Sequence, residues 1–359
     1  MGKATLNARM VGVPLQNQRP PAPGSRQALQ KEFGPNSEFG YQSGQLMDPA
    51  PATEAEIRRA PLEATGPEAA YTPARLGLIL VLILGAAFPG VLLGTHSFFY
   101  RDAGVLAYPC ASFQHESFWR GELPLWNSLS HCGVPFLAQW GTSFYPLSLI
   151  YLLFPLPWSL SYFCLAHIVL AGIGMYWLAN QWVGNRFAAT VAGVAYVTSG
   201  VMLSCHIWPN YLAALGWMPW VVGCGQRSWR AGGRWLAIAA GAGAMQMLCG
   251  VPELILFTWG VMGVFWLGEL AEAGAARARF FGRFLLVVLL VAGLCAVQLA
   301  PFFDLLAHSQ RDSGFGTAKW SMPLWGWGNL LVPLLHYAKT PQGPWFQTGQ
   351  EFMMSYYLG

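Results

Sequence analysis

Few side chains in this chain can carry chemistry, because only 10% of its 359 residues are charged. Three carboxylates stand out by position. Asp102 follows Arg101 and comes shortly after the first long apolar run. Glu253 stands in Gly250-Val251-Pro252-Glu253-Leu254, between two apolar runs, and Asp304 ends another, just past Pro301. A carboxylate at a membrane surface can take a proton from a hydroxyl or ligate a divalent cation. One held close to hydrocarbon is costly, which marks it as a functional candidate. Each also has a structural explanation. Asp102 can be a solvated loop aspartate paired with Arg101. Glu253 can be a helix-start carboxylate stabilised by the dipole, and Asp304 an interfacial cap. His206 and Asn210 flank Trp208-Pro209 and could hold a sugar or phosphate, although a turn of this composition needs no function. Trp126 with Asn127, and Gln139 with Trp140, pair an aromatic face with an amide, which suits a sugar ring or a headgroup-level aromatic belt. Asp102, His206 and Glu253 would make a conceivable metal set, but no ligand spacing supports it. The sequence has no phosphate-binding glycine loop, nucleophile elbow or HExxH motif.

The elements that must position these residues are membrane helices. The chain is 54% hydrophobic and its mean hydropathy is +0.38. A soluble domain carries roughly 25% charged residues, so the deficit points to an all-α polytopic membrane protein. The net charge of +4 comes from arginines near helix ends and gives no reason to expect a nucleic-acid partner. The seven cysteines form no CxxC pair and no zinc spacing. Most sit in apolar runs as small core residues. Cys110 and Cys132 share a polar loop and could pair if that loop is extracytoplasmic.

Hydropathy and helix breakers divide the chain into about seven spans. The first covers about residues 76–93, roughly 27 Å at 1.5 Å per residue. Residues 95–145 form a large polar loop with a short amphipathic helix near 108–120, where Phe113, Phe118 and Trp119 are available for one face. Residues 145–154 are apolar but too short to span, and Pro155-Leu156-Pro157 ends them. They read as a re-entrant or interfacial helix. Further spans are expected near 159–182, 187–205, 211–225, 235–248, 254–270 and 284–303. Arg58, Arg59 and Arg75 precede the first span, so the N-terminus is cytoplasmic and the 95–145 loop is outside. Alternation then puts Arg186, Arg227, Arg230, Arg234, Arg277, Arg279 and Arg283 inside. Asp102, Glu116, Glu122, Glu253, Asp304 and Asp312 fall outside, with Glu269 and Glu272 the inner exceptions.

Residues 1–75 are rich in Pro, Ala, Gly, Gln and Glu, have no apolar period, and read as a disordered cytoplasmic tail. A start at Met47 would shorten it. Residues 304–359 read as an outer, aromatic-rich segment with Trp320, Trp325, Trp327 and Trp345, and the ending Ser355-Tyr356-Tyr357-Leu358-Gly359 reads as the start of a further span, as if the chain were truncated.

The loop also carries a pattern: Asp102, Tyr108-Pro109, Gly121-Glu122-Leu123-Pro124-Leu125-Trp126-Asn127, Gly133-Val134-Pro135-Phe136-Leu137-Ala138 and Phe144-Tyr145-Pro146-Leu147. It resembles the YfhO-type bacterial membrane proteins, which are related to GT-C glycosyltransferases. The likeness continues through Ala171-Gly172-Ile173-Gly174-Met175-Tyr176 and the Gly250-Val251-Pro252-Glu253 turn, and covers about residues 76–359. The resemblance implies a GT-C-like fold over 76–303 in the bacterial inner membrane. It also implies transfer of a sugar from a polyprenyl-phosphate donor to a cell-envelope acceptor at the outer face. An acidic residue in the first outer loop is the usual catalytic carboxylate of such enzymes, and here that position is Asp102, as base or with a divalent metal. Glu253 and Asp304 would shape the site, Arg101 would meet the donor phosphate, and Trp126, Asn127, His206 and Asn210 would line it. A different class of function is a non-catalytic membrane subunit that packs against a larger membrane complex. A transporter would call for paired charges or broken helices at mid-membrane, whereas these acids lie at one face.

Overall fold

The computed structural model of the chain describes residues 70–309, 321–341, 343–347 and 353–358. The proposed N-terminal tail lies outside these residues up to position 69, as do Asp312, Trp320 and Gly359. Residues 70–75 already belong to the folded part, contrary to the expected tail boundary. The Thr72 hydroxyl caps the first helix by accepting from the Arg75 N–H at 3.2 Å. The Tyr176 hydroxyl donates to the Tyr71 carbonyl at 2.8 Å.

The described chain is almost entirely helical. Helices α1 (Pro73–Ala87) and α2 (Pro89–Leu92) fall where the first span was expected, but Pro73–Ala87 is shorter than the helices long enough to cross a membrane. They form two pieces because Pro89 cannot continue the hydrogen-bond ladder and Phe88 leaves helical geometry (φ −131°). In the 95–145 loop lie α3 (Tyr108–Trp119) and α4 (Phe136–Gln139), and α5 (Ile150–Leu153) falls in the short apolar stretch expected to be re-entrant or interfacial. Helix α3 falls where a helix was expected, but it is not amphipathic as expected: its buried residues are Ala111, Gln114 and Ser117 rather than the aromatic set. The Gln114 amide donates to the Ser148 hydroxyl at 3.0 Å, which ties α3 to the turn before α5. Helix α5 ends ahead of Pro155, and the long helix α6 (Leu156–Val183) starts at once.

Gly184 (φ 71°) ends α6 in the left-handed region, and the Asn185 side chain caps α7 (Arg186–Thr198). A short α8 (Gly200–Ser204) continues α7. Helix α9 (Pro209–Ala231) is longer than the expected fourth span at both ends and carries Pro219 inside it. Helices α10 (Arg234–Met247), α11 (Pro252–Glu272), α12 (Arg277–Leu294) and α13 (Ala296–His308) follow. Residues 338–345 form a small antiparallel hairpin, β1 (Ala338–Thr340) with β2 (Gly343–Trp345). Helices α6 and α9 sit at the centre, α6 against α7 and α9, and α9 against α10 and α11.

Among the described residues three helices are long and apolar enough to cross a membrane: Leu156–Val183, Arg186–Ile207 and Pro252–Glu272. A fourth is possible only if Gly274–Leu294 and Ala296–His308 count as one broken span. The chain therefore has the build of an all-α membrane protein. The expected seventh span, 284–303, is not one continuous helix. It bends by 81° at Cys295, and the bend lets α13 lie against α4. There the buried Gln298 amide donates to the Leu137 carbonyl at 2.7 Å. Pro301 lies inside α13 and does not cause the bend. Cys110 and Cys132 are both free thiols, so the pairing considered for them is not made.

The arginines gather where the charge pattern put them together. Arg230 forms a two-pronged ion pair with Glu269 at 2.6 and 2.7 Å, and the Trp229 indole donates to the same carboxylate at 2.9 Å. Glu269 was an inner exception in the charge pattern, and this pairing accounts for it. Arg283 donates to the carbonyls of Trp229 and Arg230 at the end of α9, and Arg277 donates to the Ala271 carbonyl at the end of α11. Cations there complement the negative ends of both helices. The Arg227 guanidinium lies over the rings of Trp177 and Trp235, 4.9 and 4.6 Å from their centroids.

Candidate functional site

The opposite end of the bundle holds Asp102. The stretch that delivers it is anchored to α6: the Tyr162 hydroxyl donates to the Leu92 carbonyl at 3.1 Å, and the Phe98 N–H donates to the Ser161 hydroxyl at 3.1 Å. Arg101 then turns the chain in the left-handed region (φ 47°), a conformation uncommon outside glycine. Asp102 follows as the cap of a single widened helical turn, Ala103–Ala107, which runs directly into α3. Such π-type turns occur often at functional sites.

The Trp208 indole N–H donates to Asp102 Oδ2 at 2.6 Å, across 106 positions of sequence. A hydrogen bond to a charged acceptor is worth about 1.5–3 kcal/mol. Oδ1 accepts no hydrogen bond among the described residues, and Asp102 makes no ion pair with Arg101, so the paired-loop explanation does not hold. Trp208 precedes Pro209, the first residue of α9, and its ring lies 5.4 Å from that of Tyr211. The Tyr211 hydroxyl makes a long hydrogen bond of 3.4 Å to Glu253 Oε2. Asp102 and Glu253 are therefore linked through the turn that opens α9. Glu253 sits in the first turn of α11, where the helix dipole favours it.

The Glu253 turn is also docked onto the first outer loop. Gly250 (φ 67°) and Gly141 meet backbone to backbone, and a β-carbon on Gly141 would lie 2.6 Å from the Gly250 nitrogen. Glycine at both positions is what permits this approach. Next to it runs a buried relay. The Trp217 indole donates to the Tyr145 hydroxyl at 2.7 Å, and that hydroxyl donates to His167 Nε2 at 2.6 Å. His167 Nδ1 donates to the Phe163 carbonyl at 2.6 Å, which fixes the ring's tautomer. Burial pushes the Tyr145 phenol well above its ordinary range. The relay pins the Phe144-Tyr145-Pro146-Leu147 stretch to α6 and α9.

Described residues of the C-terminal segment pack against the same region. Tyr100 stacks on Trp345 with centroids 6.2 Å apart and planes 9° from parallel. The Gly200 N–H donates to the Tyr357 carbonyl at 2.7 Å, which fastens the segment to α8.

The remaining expected residues are spread more widely. His206 Nδ1 donates to the Leu203 carbonyl at 2.7 Å, and its ring packs against Phe88 and Phe98. That role is packing at the start of the outer turn, beside the Asp102 stretch. Asn210 is half-buried on the first turn of α9. Trp126 and Asn127 instead staple their own loop. Asn127 pairs with Val134 in an antiparallel bridge, its side chain accepts from the Leu129 N–H at 2.9 Å, and the Trp126 ring covers Gly133. Asp304 is on α13, pairs with His308 at 3.5 Å, and faces a groove with Leu125 and Leu137. It is an exposed residue on the flank of the loop, and no contact joins it to Asp102. Among the described residues no three His, Cys, Asp or Glu side chains gather as a metal site, so the Asp102, His206 and Glu253 set is not formed.

Trp208, Tyr211 and Tyr145 are the residues that composition alone did not single out. The available signal was a polar-tipped aromatic at the mouth of an apolar helix, where its N–H or O–H needs a partner. Comparison with family models, with curated proteins and with solved structures gives no match to this chain.

Proposed function

We propose that the chain is a GT-C-like membrane glycosyltransferase, moving a sugar from a polyprenyl-phosphate donor to a cell-envelope acceptor at the outer face of a bacterial inner membrane. In this reading α1 with α2, α6, α7 with α8, α9, α10, α11, and α12 with α13 are seven passes, and the N-terminus is cytoplasmic. Asp102 is the general base on the acceptor hydroxyl, Arg101 meets the donor phosphate, and Glu253 shapes the site from the neighbouring turn. The observation that carries the reading is the Asp102 carboxylate itself. One oxygen is oriented by Trp208 at 2.6 Å and the other is left to take a proton. It stands at the bundle end away from the arginine cluster, as an outer-face site requires. The test is Asp102→Asn in membranes supplied with radiolabelled polyprenyl-phosphate hexoses. The amide oxygen can still accept from Trp208, so expression is expected to hold while transfer is lost. Full transfer by this variant ends the reading.

The second reading, a non-catalytic subunit of a larger membrane complex, draws on α11 and α12. These helices leave Leu256, Phe257, Val264, Leu267 and Leu289 exposed. Stoichiometric co-purification with other membrane subunits, with no transfer activity, would favour it.

A further inference from the structure

The outer segment holds a cavity of about 340 Å³, lined by Ser321, Pro323, Trp325, His336, Phe346 and Gln347. None of these residues was a candidate from sequence, and none belongs to the Asp102 cluster. Cavities of a few hundred cubic ångström with apolar walls and a few polar groups are the usual form of small-ligand sites. Here the walls are aromatic. The Trp325 ring lies 5.1 Å from the Phe346 ring and 5.6 Å from the His336 imidazole, and Trp325 keeps about a third of its surface exposed. The principal polar side chains are an amide and an imidazole. The Gln347 amide nitrogen is oriented by a 2.9 Å hydrogen bond to the Ser321 carbonyl, and the His336 imidazole is exposed at the rim.

The backbone around the cavity is fixed rather than loose. Phe346 is buried, and its N–H donates to the Met353 carbonyl at 2.8 Å. Trp345 next to it is buried as well, and its indole donates to the Thr340 hydroxyl at 2.9 Å. Its ring is the one that stacks on Tyr100, two positions before Asp102. Trp345, which stacks on Tyr100, and Phe346, which lines the cavity, are consecutive residues.

We infer that this cavity is a pyranose-binding subsite, with Trp325 as the platform and His336 and Gln347 as hydroxyl partners. A pyranose ring has an apolar C–H face that packs on an aromatic ring and a rim of hydroxyls that both donate and accept hydrogen bonds. Among the described residues no carboxylate lines the cavity, so they offer little to a cation beyond ring faces, and no described arginine or lysine lines it to hold a phosphate. Binding stands on these observations alone. Its assignment to the acceptor sugar rests on the glycosyl-transfer reading.

The experiment is saturation-transfer NMR on the full chain, in a detergent without sugar or choline headgroups. The probes are glucose, galactose, mannose, N-acetylglucosamine and choline. At least one sugar is expected to receive saturation. Trp325→Ala is expected to weaken that binding by roughly tenfold, the scale of truncating one aromatic anchor. Trp325→Phe, which keeps a ring, and Trp327→Ala, which alters a neighbouring exposed tryptophan outside the cavity, are expected to retain it. Asp102→Asn is also expected to retain it, which separates failure of this subsite from failure of the transfer reading. Saturation of no sugar, equal binding by Trp325→Ala, or a Trp325-dependent choline signal in place of a sugar signal overturns the inference.

Discussion

The contact between Gly141 and Gly250 holds the first outer loop against the turn that carries Glu253, so Gly141→Ala is the most informative single substitution. A β-carbon there would lie 2.6 Å from the Gly250 nitrogen and 3.0 Å from the Cys249 carbonyl carbon. Both are backbone atoms, and neither can swing aside as a side chain would. Relief requires the two segments to separate by roughly an ångström. That separation would strain the neighbouring hydrogen bond from Gln298 to Leu137 and the Tyr145 relay. Overpacking usually costs about 1–3 kcal/mol, and a backbone-to-backbone clash belongs at or above the upper end. That is a large part of the roughly 5–15 kcal/mol that holds a domain folded. Gly241→Ala is the control: a β-carbon there meets nothing within 4 Å. In a helix interior alanine is favoured over glycine by about 1 kcal/mol. The assay is the fraction of monodisperse protein that survives a temperature series in detergent. Gly141→Ala should lower the midpoint by several degrees, and Gly241→Ala should leave it unchanged or raise it. A Gly141→Ala protein as stable as the parent would mean that loop and turn do not touch, and the account of how Asp102 and Glu253 share one face would fail.

Tyr145→Phe removes the hydroxyl that accepts from Trp217 and donates to His167. It should cost about 1–3 kcal/mol for each buried group left unpaired, seen as a lower thermal midpoint that Tyr145→Leu does not improve. The two loop thiols should separate by reactivity. Burial pushes the Cys110 thiol up to about 11 from its ordinary 9.0, which leaves about 100-fold less thiolate below pH 9. Cys132 is exposed. Alkylation at pH 8 should therefore label Cys132 first, and Cys110 labelling should keep rising with pH toward 11; equal rates at pH 8 would contradict the burial of Cys110. Glu269→Gln should weaken the Arg230 pair, and because Arg230 is half-exposed the loss in stability should be about 1 kcal/mol or less. A larger loss would show that the pair does more than cap one end of the bundle.

Local punctuation was legible in the sequence. Pro155, Gly184 with Asn185, and Pro252 each mark a helix boundary that the chain uses. Each acts through its own backbone limits, which do not depend on the rest of the fold. The grouping of Arg230, Arg277 and Arg283 at helix ends was legible too, because cations favour those ends whatever the rest of the fold does. The bend at Cys295 was not. No proline stands at the break, a lone Gly293 two positions before it is a weak signal, and the bend serves a contact between Gln298 and Leu137, 161 positions apart. The Asp102 position was readable as a candidate, but its orientation by Trp208 was not, because apolar periodicity does not say which helix mouth faces which loop. Asp304 shows the reverse failure. The sequence puts it on the outer side, yet α13 has turned, and the carboxylate ends exposed beside His308.

The most direct measurement compares sugar transfer from radiolabelled polyprenyl-phosphate hexoses by the parent chain, Trp208→Phe and Asp102→Asn, at matched amounts in membranes. Removing the indole donor should lower the rate by roughly 10- to 100-fold, the equivalent of one hydrogen bond to a charged group. Asp102→Asn should abolish transfer while the protein still accumulates. Equal rates for all three proteins would contradict the assignment of Asp102 as the acting base.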